Sequence, residues 1–223
     1  FRRVDTIEAD ADEFEVVLPS VSDKAELSKY AQGIIDSLSR PYTINGNAVS
    51  IGASVGIVTS DYDDRTSDDL MRDADLALYA AKAAGKGCYR FFAPEMHESA
   101  RERQRMESDL RVALDKGQLR VVFQPSVDAT SEAVMGFEAL VRWDHPEHGP
   151  VSPAMFIPLA EEIGLINEIG EWVLRTACAE AANWPQHISV AVNLSPLQFK
   201  LPSLPATVRA ILSETDLPAK RLE

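Results

Sequence analysis

At 223 residues, with 45% hydrophobic and 26% charged side chains, the chain has the length for one or two domains and the composition of a globular protein that buries a core, which argues against intrinsic disorder. Its formal net charge of −13 argues against a general nucleic-acid or anionic-membrane surface, since those partners reward a basic face. An anionic ligand would therefore need a local site that gathers a few cations or a bound metal ion.

Taken in chain order, residues 14–19 read as a short apolar strand closed by Pro19, and residues 24–38 carry apolar side chains at helical spacing. Residues 41–44 and 48–58 read as two strands around the turn Asn45-Gly46, which supplies the positive backbone dihedrals of a tight hairpin. Thr66-Ser67-Asp68-Asp69 predicts a capped helix running to about Ala84, with Gly85 as its stop and residues 88–92 as a last strand. This first unit reads as α+β. Residues 95–116 form a charged, glycine-free stretch that predicts a linking helix. Beyond it, strand-like runs at 119–123, 136–143 and 188–194 alternate with helices near 154–162 and 167–183, a pattern that predicts βα units around a parallel sheet. The expected division is 1–95, a linking helix at 96–116, and 117–223. Cys88 and Cys178 show no paired spacing, so neither a disulfide framework nor a thiolate zinc site is indicated, and reduced cytosol is the expected compartment. No apolar run approaches the roughly 20 residues that span a bilayer, although a parent with a further N-terminal region would have room for an anchor.

The tripeptide Glu138-Ala139-Leu140 sits inside Gly136-Phe137-Glu138-Ala139-Leu140-Val141-Arg142-Trp143-Asp144-His145-Pro146. Phe123-Gln124-Pro125 precedes it, and Pro153-Ala154-Met155-Phe156-Ile157-Pro158-Leu159-Ala160-Glu161, Gly164-Leu165-Ile166, Gly170-Glu171-Trp172-Val173-Leu174 and Val192-Asn193-Leu194-Ser195-Pro196-Leu197-Gln198-Phe199 follow. In this order and spacing they resemble the EAL-domain phosphodiesterases, which hydrolyse the bacterial messenger cyclic di-GMP to a linear dinucleotide, over residues 105–223. The resemblance implies a β/α (TIM-type) barrel, here incomplete, whose reacting groups sit where strands end. Val121-Val122-Phe123 is expected to end on Gln124 and Val190-Ala191-Val192 on Asn193, while Glu138, Leu140 and Arg142 share one face of a strand by period-2 alternation. Glu138 and Asn193 offer the oxygen ligands that Mg²⁺ or Mn²⁺ prefers. By the resemblance they are the catalytic metal ligands, Arg142 contacts a phosphate oxygen, and Gln124 and Leu140 line the dinucleotide pocket. His145-Pro146-Glu147-His148 reads as a turn rather than a metal site, because Pro146 breaks helical spacing. Trp143, Trp172 and Trp184 read as packing residues.

EAL enzymes carry a further metal-binding Glu in a Leu-Glu-x-Thr-Glu string, then an Asp-Asp pair, a Lys and a last Glu on later strands. Arg221-Leu222-Glu223 matches the approach to the first of these, and Glu223 corresponds to the Glu two places before that ligand. The 223 residues alone are therefore expected not to turn over cyclic di-GMP.

Asp10-Ala11-Asp12-Glu13-Phe14 before Val16-Val17-Leu18-Pro19 resembles a degenerate GGDEF motif, the hallmark of diguanylate cyclases. Ser50-Ile51-Gly52-Ala53-Ser54-Val55-Gly56 and Asp73-Ala74-Asp75-Leu76-Ala77-Leu78-Tyr79-Ala80-Ala81-Lys82 extend that likeness over residues 1–95. In the cyclase two glycines let backbone and nucleotide approach closely; here they are Asp10 and Ala11, and an added carboxylate repels phosphate. Asp12 still matches the family's metal-binding acid. Cyclase activity is not expected. Lys82 and Lys86 read equally as phosphate contacts or as a solvated helix end, and Arg2-Arg3-Val4-Asp5 matches an Arg-x-x-Asp inhibitory site, carried by Arg2 and Asp5, or else forms a surface ion pair.

The resulting expectation is an α/β tandem GGDEF-EAL protein of cyclic di-GMP signalling, with a regulatory first domain. Its partners would be cyclic di-GMP, GTP as a candidate ligand of the first domain, and a second copy in a homodimer, with no nucleic-acid polymer. The alternative is a non-catalytic receptor for the dinucleotide or for a partner protein.

Overall fold

The structure is a computed structural model that describes residues 5–10, 13–19, 21, 23–60 and 65–223, with residues 5–10 described as backbone. Two units separate at residue 102. In the first, β1 (Asp5–Asp10) pairs antiparallel with β2 (Glu13–Val17). Helix α1 (Lys24–Leu38) follows, its first turn capped by Asp23, whose carboxylate accepts from the Ala25 amide at 3.1 Å. Its apolar stripe Leu27, Ala31 and Ile35 is buried because those positions recur every four residues on one face. β3 (Tyr42–Ile44) and β4 (Asn47–Val49) form the hairpin expected of Asn45-Gly46, with φ of 52° and 81° at the two turn residues.

The strand predicted over 48–58 is two strands. β4 ends at Val49, and β5 (Val55–Ile57) starts after an irregular stretch containing Gly52, to pair in parallel with β6 (Tyr89–Phe91). Helix α2 (Ser67–Ala83) makes the crossover between them. It begins at a capping box in which the Asp69 amide donates to Thr66 Oγ1 and the Thr66 amide to Asp69 Oδ2, each at 3.2 Å. It ends in left-handed backbone at Gly85, Lys86 and Gly87. β5 lies hard against α2: a Cβ at Gly56 would stand 2.2 Å from the Ala74 carbonyl oxygen and 2.4 Å from the Leu78 nitrogen. Buried Asp73 on α2 holds Arg65, and its Oδ1 stands 2.9 Å from His97 Nε2 on the first turn of α3 (Glu95–Ala113).

In the second unit, the C-terminal half of α3 delivers Leu110 and Ala113 to a core with Leu119, Trp143, Phe156 and Ile169. Trp143 and Phe156 are fully buried, each worth about 1.5–3 kcal/mol by area, and the indole N–H of Trp143 donates to Gln118 at 3.2 Å. β7 (Leu119–Val127) pairs with β8 (Val134–His145), on which β9 (Gly149–Val151) also pairs. Helices α4 (Pro153–Glu162) and α5 (Ile166–Ala182) lead to β10 (Ser189–Val192), which lies parallel to β8. Helix α6 (Leu204–Thr215) follows, and Glu223 then bonds to Val190 and Val192, starting a further parallel pairing on the other side of β10.

The parallel sheet expected from alternation is corrected at β7 and β8, which run antiparallel. Only residues 128–133 join them, too few for a parallel crossover, and Asp128 closes that turn by accepting from the Ser131 and Thr130 amides at 2.8 and 3.0 Å. Arg221 is buried at 5% exposure. Its guanidinium donates to the Ile188 and Ala181 carbonyls at 2.8 and 2.6 Å, so a cation satisfies the C-terminal end of α5. No helix among the described residues is long and apolar enough to cross a membrane.

Candidate active site of the second unit

Alternation along β8 sorts its residues between two environments. Ala139, Trp143 and His145 are buried among the helices, whereas Glu138, Leu140 and Arg142 lie half-buried on the opposite face. On that face Glu138 stands directly across from Gln124 of β7 and from Ala191 of β10. Asn193 follows the last residue of β10, and its Nδ2 donates to Glu138 Oε1 at 2.6 Å, joining residues 55 positions apart in sequence. Gln124 does not end a strand, contrary to the sequence expectation. It is in the middle of β7, and antiparallel register rather than a strand terminus brings it to Glu138.

Arg142 lies four residues beyond Glu138, about 13 Å along the strand, with its Nη1 donating to the Val141 carbonyl at 2.8 Å. Leu140 supplies an apolar floor between the two charges. The side chains of Glu138 and Asn193 present a carboxylate and an amide oxygen, a donor set suited to a hard divalent ion that keeps several of its waters. In the observed rotamer the amide turns its N–H₂ to the carboxylate, so ligation would need the amide rotated to present its oxygen.

His145 is engaged elsewhere. Its Nδ1 accepts from the Glu147 and His148 amides, each at 3.1 Å, and its Nε2 is 3.2 Å from Asp109. Trp184 packs edge-on against Phe123 at 5.1 Å. Sequence reasoning missed the polar contacts behind Asn193, where Ser195, Gln198 and Glu161 meet. A buried glutamine between exposed Leu197 and Phe199 is their signature, and only burial reveals it.

In the first unit, Ala11, Asp12 and Arg2 lie outside the described residues, and Asp5 and Asp10 are described only as strand backbone. Phe14 is exposed. Glu13 makes an ion pair with Lys82 at 2.7 Å, so that lysine already has a carboxylate partner, while Lys86 sits in the left-handed turn after α2. Burial, together with the negative charge of Glu13, pushes the Asp75 carboxyl up, against an opposing pull from Lys82.

The family model for the EAL domain matches residues 107–223, and that for the diguanylate cyclase GGDEF domain matches residues 6–88. The chain belongs to the EAL family. The EAL segment, preceded by its GGDEF segment, is 46% identical over 212 residues to protein y4lL of Sinorhizobium fredii, a match covering 95% of this chain and 26% of that protein. It is 41% identical over 215 residues to the bifunctional diguanylate cyclase/cyclic di-GMP phosphodiesterase MucR of Pseudomonas aeruginosa, covering 95% of this chain and 31% of MucR. The chain thus spans about a quarter to a third of the length of these relatives. A solved PaMucR phosphodiesterase in complex with c-di-GMP aligns at a TM-score of 0.52 and 43% identity, over 53% of this chain and 49% of that one. The EAL match contains Gln124, Glu138, Leu140, Arg142 and Asn193. Within the chain, the EAL segment follows a segment that the GGDEF model matches.

Proposed function

We propose that the protein is a divalent-metal-dependent phosphodiesterase that hydrolyses cyclic di-GMP to linear pGpG, with Mg²⁺ or Mn²⁺ as the ion and the GGDEF segment as a degenerate regulatory domain. The observation that carries this reading is the meeting of Glu138 and Asn193 at 2.6 Å on one face of the EAL sheet. A bound ion would lower the pKa of a coordinated water and neutralise phosphodiester charge. Glu138 and Asn193 Oδ1 would hold it. Arg142, about 13 Å along the strand, would pair with a phosphate of a ligand laid along β8, a distance that a dinucleotide spans. Leu140 and Gln124 would line the floor beneath that ligand. In the first unit, Asp10-Ala11 in place of two glycines and the Glu13–Lys82 ion pair support a domain that regulates rather than cyclises.

The test is turnover of cyclic di-GMP by the full-length protein with Mg²⁺ or Mn²⁺, beside Glu138→Gln. The expected result is linear product from the wild type and a loss of about 100-fold or more in the variant. Undiminished turnover in the variant would refute the ligand role, and binding without hydrolysis by the wild type would make the protein a receptor.

A further inference from the structure

We infer that Ser195, Gln198 and Glu161 are positioning residues that form a brace fixing the backbone at Asn193. For its catalytic consequence this rests on the phosphodiesterase reading above. Asn193 is exposed and follows β10, so the strand ladder fixes it only from the N-terminal side. What fixes the other side lies two residues on. The Ser195 amide donates to Gln198 Oε1 at 3.0 Å, and the Gln198 amide donates to the Ser195 carbonyl at 3.0 Å, closing a ring that grips Ser195 at both backbone polar groups. Ser195 Oγ donates to Glu161 Oε1 on α4 at 2.6 Å and accepts from the Leu197 amide at 3.2 Å. Every polar group of Ser195 is therefore committed.

The grip reaches α5 through a missing side chain. Gln198 is 4% exposed and lies against Gly170, where a Cβ would stand 2.2 Å from its Nε2 and 2.8 Å from its Cδ. A side chain at 170 would push the glutamine amide off the helix and away from the Ser195 amide that it accepts from. Asn193 is thus held between the β10 ladder and a point tied to two helices, while its terminal amide keeps the rotation needed to present either nitrogen or oxygen to Glu138. The brace lies behind the sheet edge and touches neither Glu138 nor Arg142 in any of these bonds.

Loss of the brace leaves the ligand in place but loosely aimed, and misplacement by about 1 Å can cost on the order of 100-fold in rate. The experiment uses the full-length protein with Ser195→Ala, Gly170→Ala, Glu161→Leu and Glu161→Gln. Two readouts are taken: amide hydrogen exchange across residues 193–198, and the divalent-ion concentration for half-maximal turnover with kcat and KM separately.

Expected are faster exchange at 193–198 in the first three variants, with exchange elsewhere in the second unit unchanged. The ion requirement should rise and kcat fall, each roughly 10- to 100-fold, with KM for cyclic di-GMP moved far less. Glu161→Gln, which still accepts from Ser195 Oγ, should retain both properties. Wild-type exchange in Ser195→Ala and Glu161→Leu would overturn the brace, whatever the activity. Faster exchange with an unaltered ion requirement would overturn its positioning role. A wild type that does not hydrolyse the dinucleotide would remove the phosphodiesterase reading and leave the exchange comparison to decide the brace. Should Gly170→Ala fail to fold, Ser195→Ala and the Glu161 pair decide.

Discussion

Replacing Gly56 by alanine tests how closely β5 and α2 are packed, and it does so by the sign of the effect. In an open strand position the substitution stabilises by about 0.4–1 kcal/mol, because alanine loses less chain entropy on folding. At Gly56 the new Cβ would stand 2.2 Å from the Ala74 carbonyl oxygen and 2.4 Å from the Leu78 nitrogen, both backbone atoms that no rotamer change can move. Relief to an ordinary contact requires α2 to retreat by about 1.2 Å, and a gap of that size forfeits half or more of the dispersion contact along the helix face. Overpacking of this kind costs about 1–3 kcal/mol, and rigid backbone on the receiving side puts Gly56 at the upper end, for a net loss of about 2–3 kcal/mol. Gly33 in α1 is the control: nothing lies within 4 Å of its Cβ position, so alanine there should stabilise by about 0.5–1 kcal/mol. The assay is amide hydrogen exchange of α2 and β6 peptides in the full-length protein. Tryptophan fluorescence, which comes only from Trp143, Trp172 and Trp184, monitors the second unit in parallel. Gly56→Ala should speed α2 exchange by on the order of 100-fold, from about 1.4 kcal/mol per tenfold. Unchanged or slower α2 exchange would refute the packing argument.

Thr66→Ala removes the side-chain half of the capping box, in which Oγ1 accepts from the Asp69 amide, while the residue-66 amide still donates to Asp69, and should cost the first unit about 1 kcal/mol, read in the same exchange experiment. Hydrogen bonds from the Ser131 amide, the Ser131 hydroxyl and the Thr130 amide hold the Asp128 carboxyl below its usual range. Its contribution to the β7–β8 turn is therefore present above the ordinary carboxylate pKa and is lost as pH falls through the depressed value. Protection factors at residues 128–133, which divide out the intrinsic pH dependence of amide exchange, should fall on acidification in the wild type and lose that dependence in Asp128→Ala; an identical pH profile of protection in both would remove the role. Burial pushes the Cys178 thiol up to about 11, so at pH 8 it should resist alkylation in the folded protein while half-buried Cys88 reacts first; equal labelling rates would contradict the packing of α5.

Local order was legible in the sequence wherever one short segment carries its own signal. Asn45-Gly46 announced a hairpin through the dihedrals it favours, Thr66 and Asp69 announced a helix start three residues apart, and period-2 alternation put Glu138, Leu140 and Arg142 on one face of β8. The motif strings likewise named the family, because they are read along the chain. Partners and registers were not legible, since alternation says which way a side chain points and not which strand lies beside it. The tertiary structure decided that β7 runs against β8, so that Gln124 faces Glu138 from mid-strand, and that β5 leaves the β3–β4 hairpin to join β6. It also decided the pairs that reach far in sequence, Asn193 with Glu138, Ser195 with Glu161 and Glu13 with Lys82. Each depends on where packed helices and ladder hydrogen bonds bring two distant backbones, and that geometry exists only once the core of its own unit has closed, around Leu27, Ala31 and Ile57 in the first and around Trp143 and Phe156 in the second.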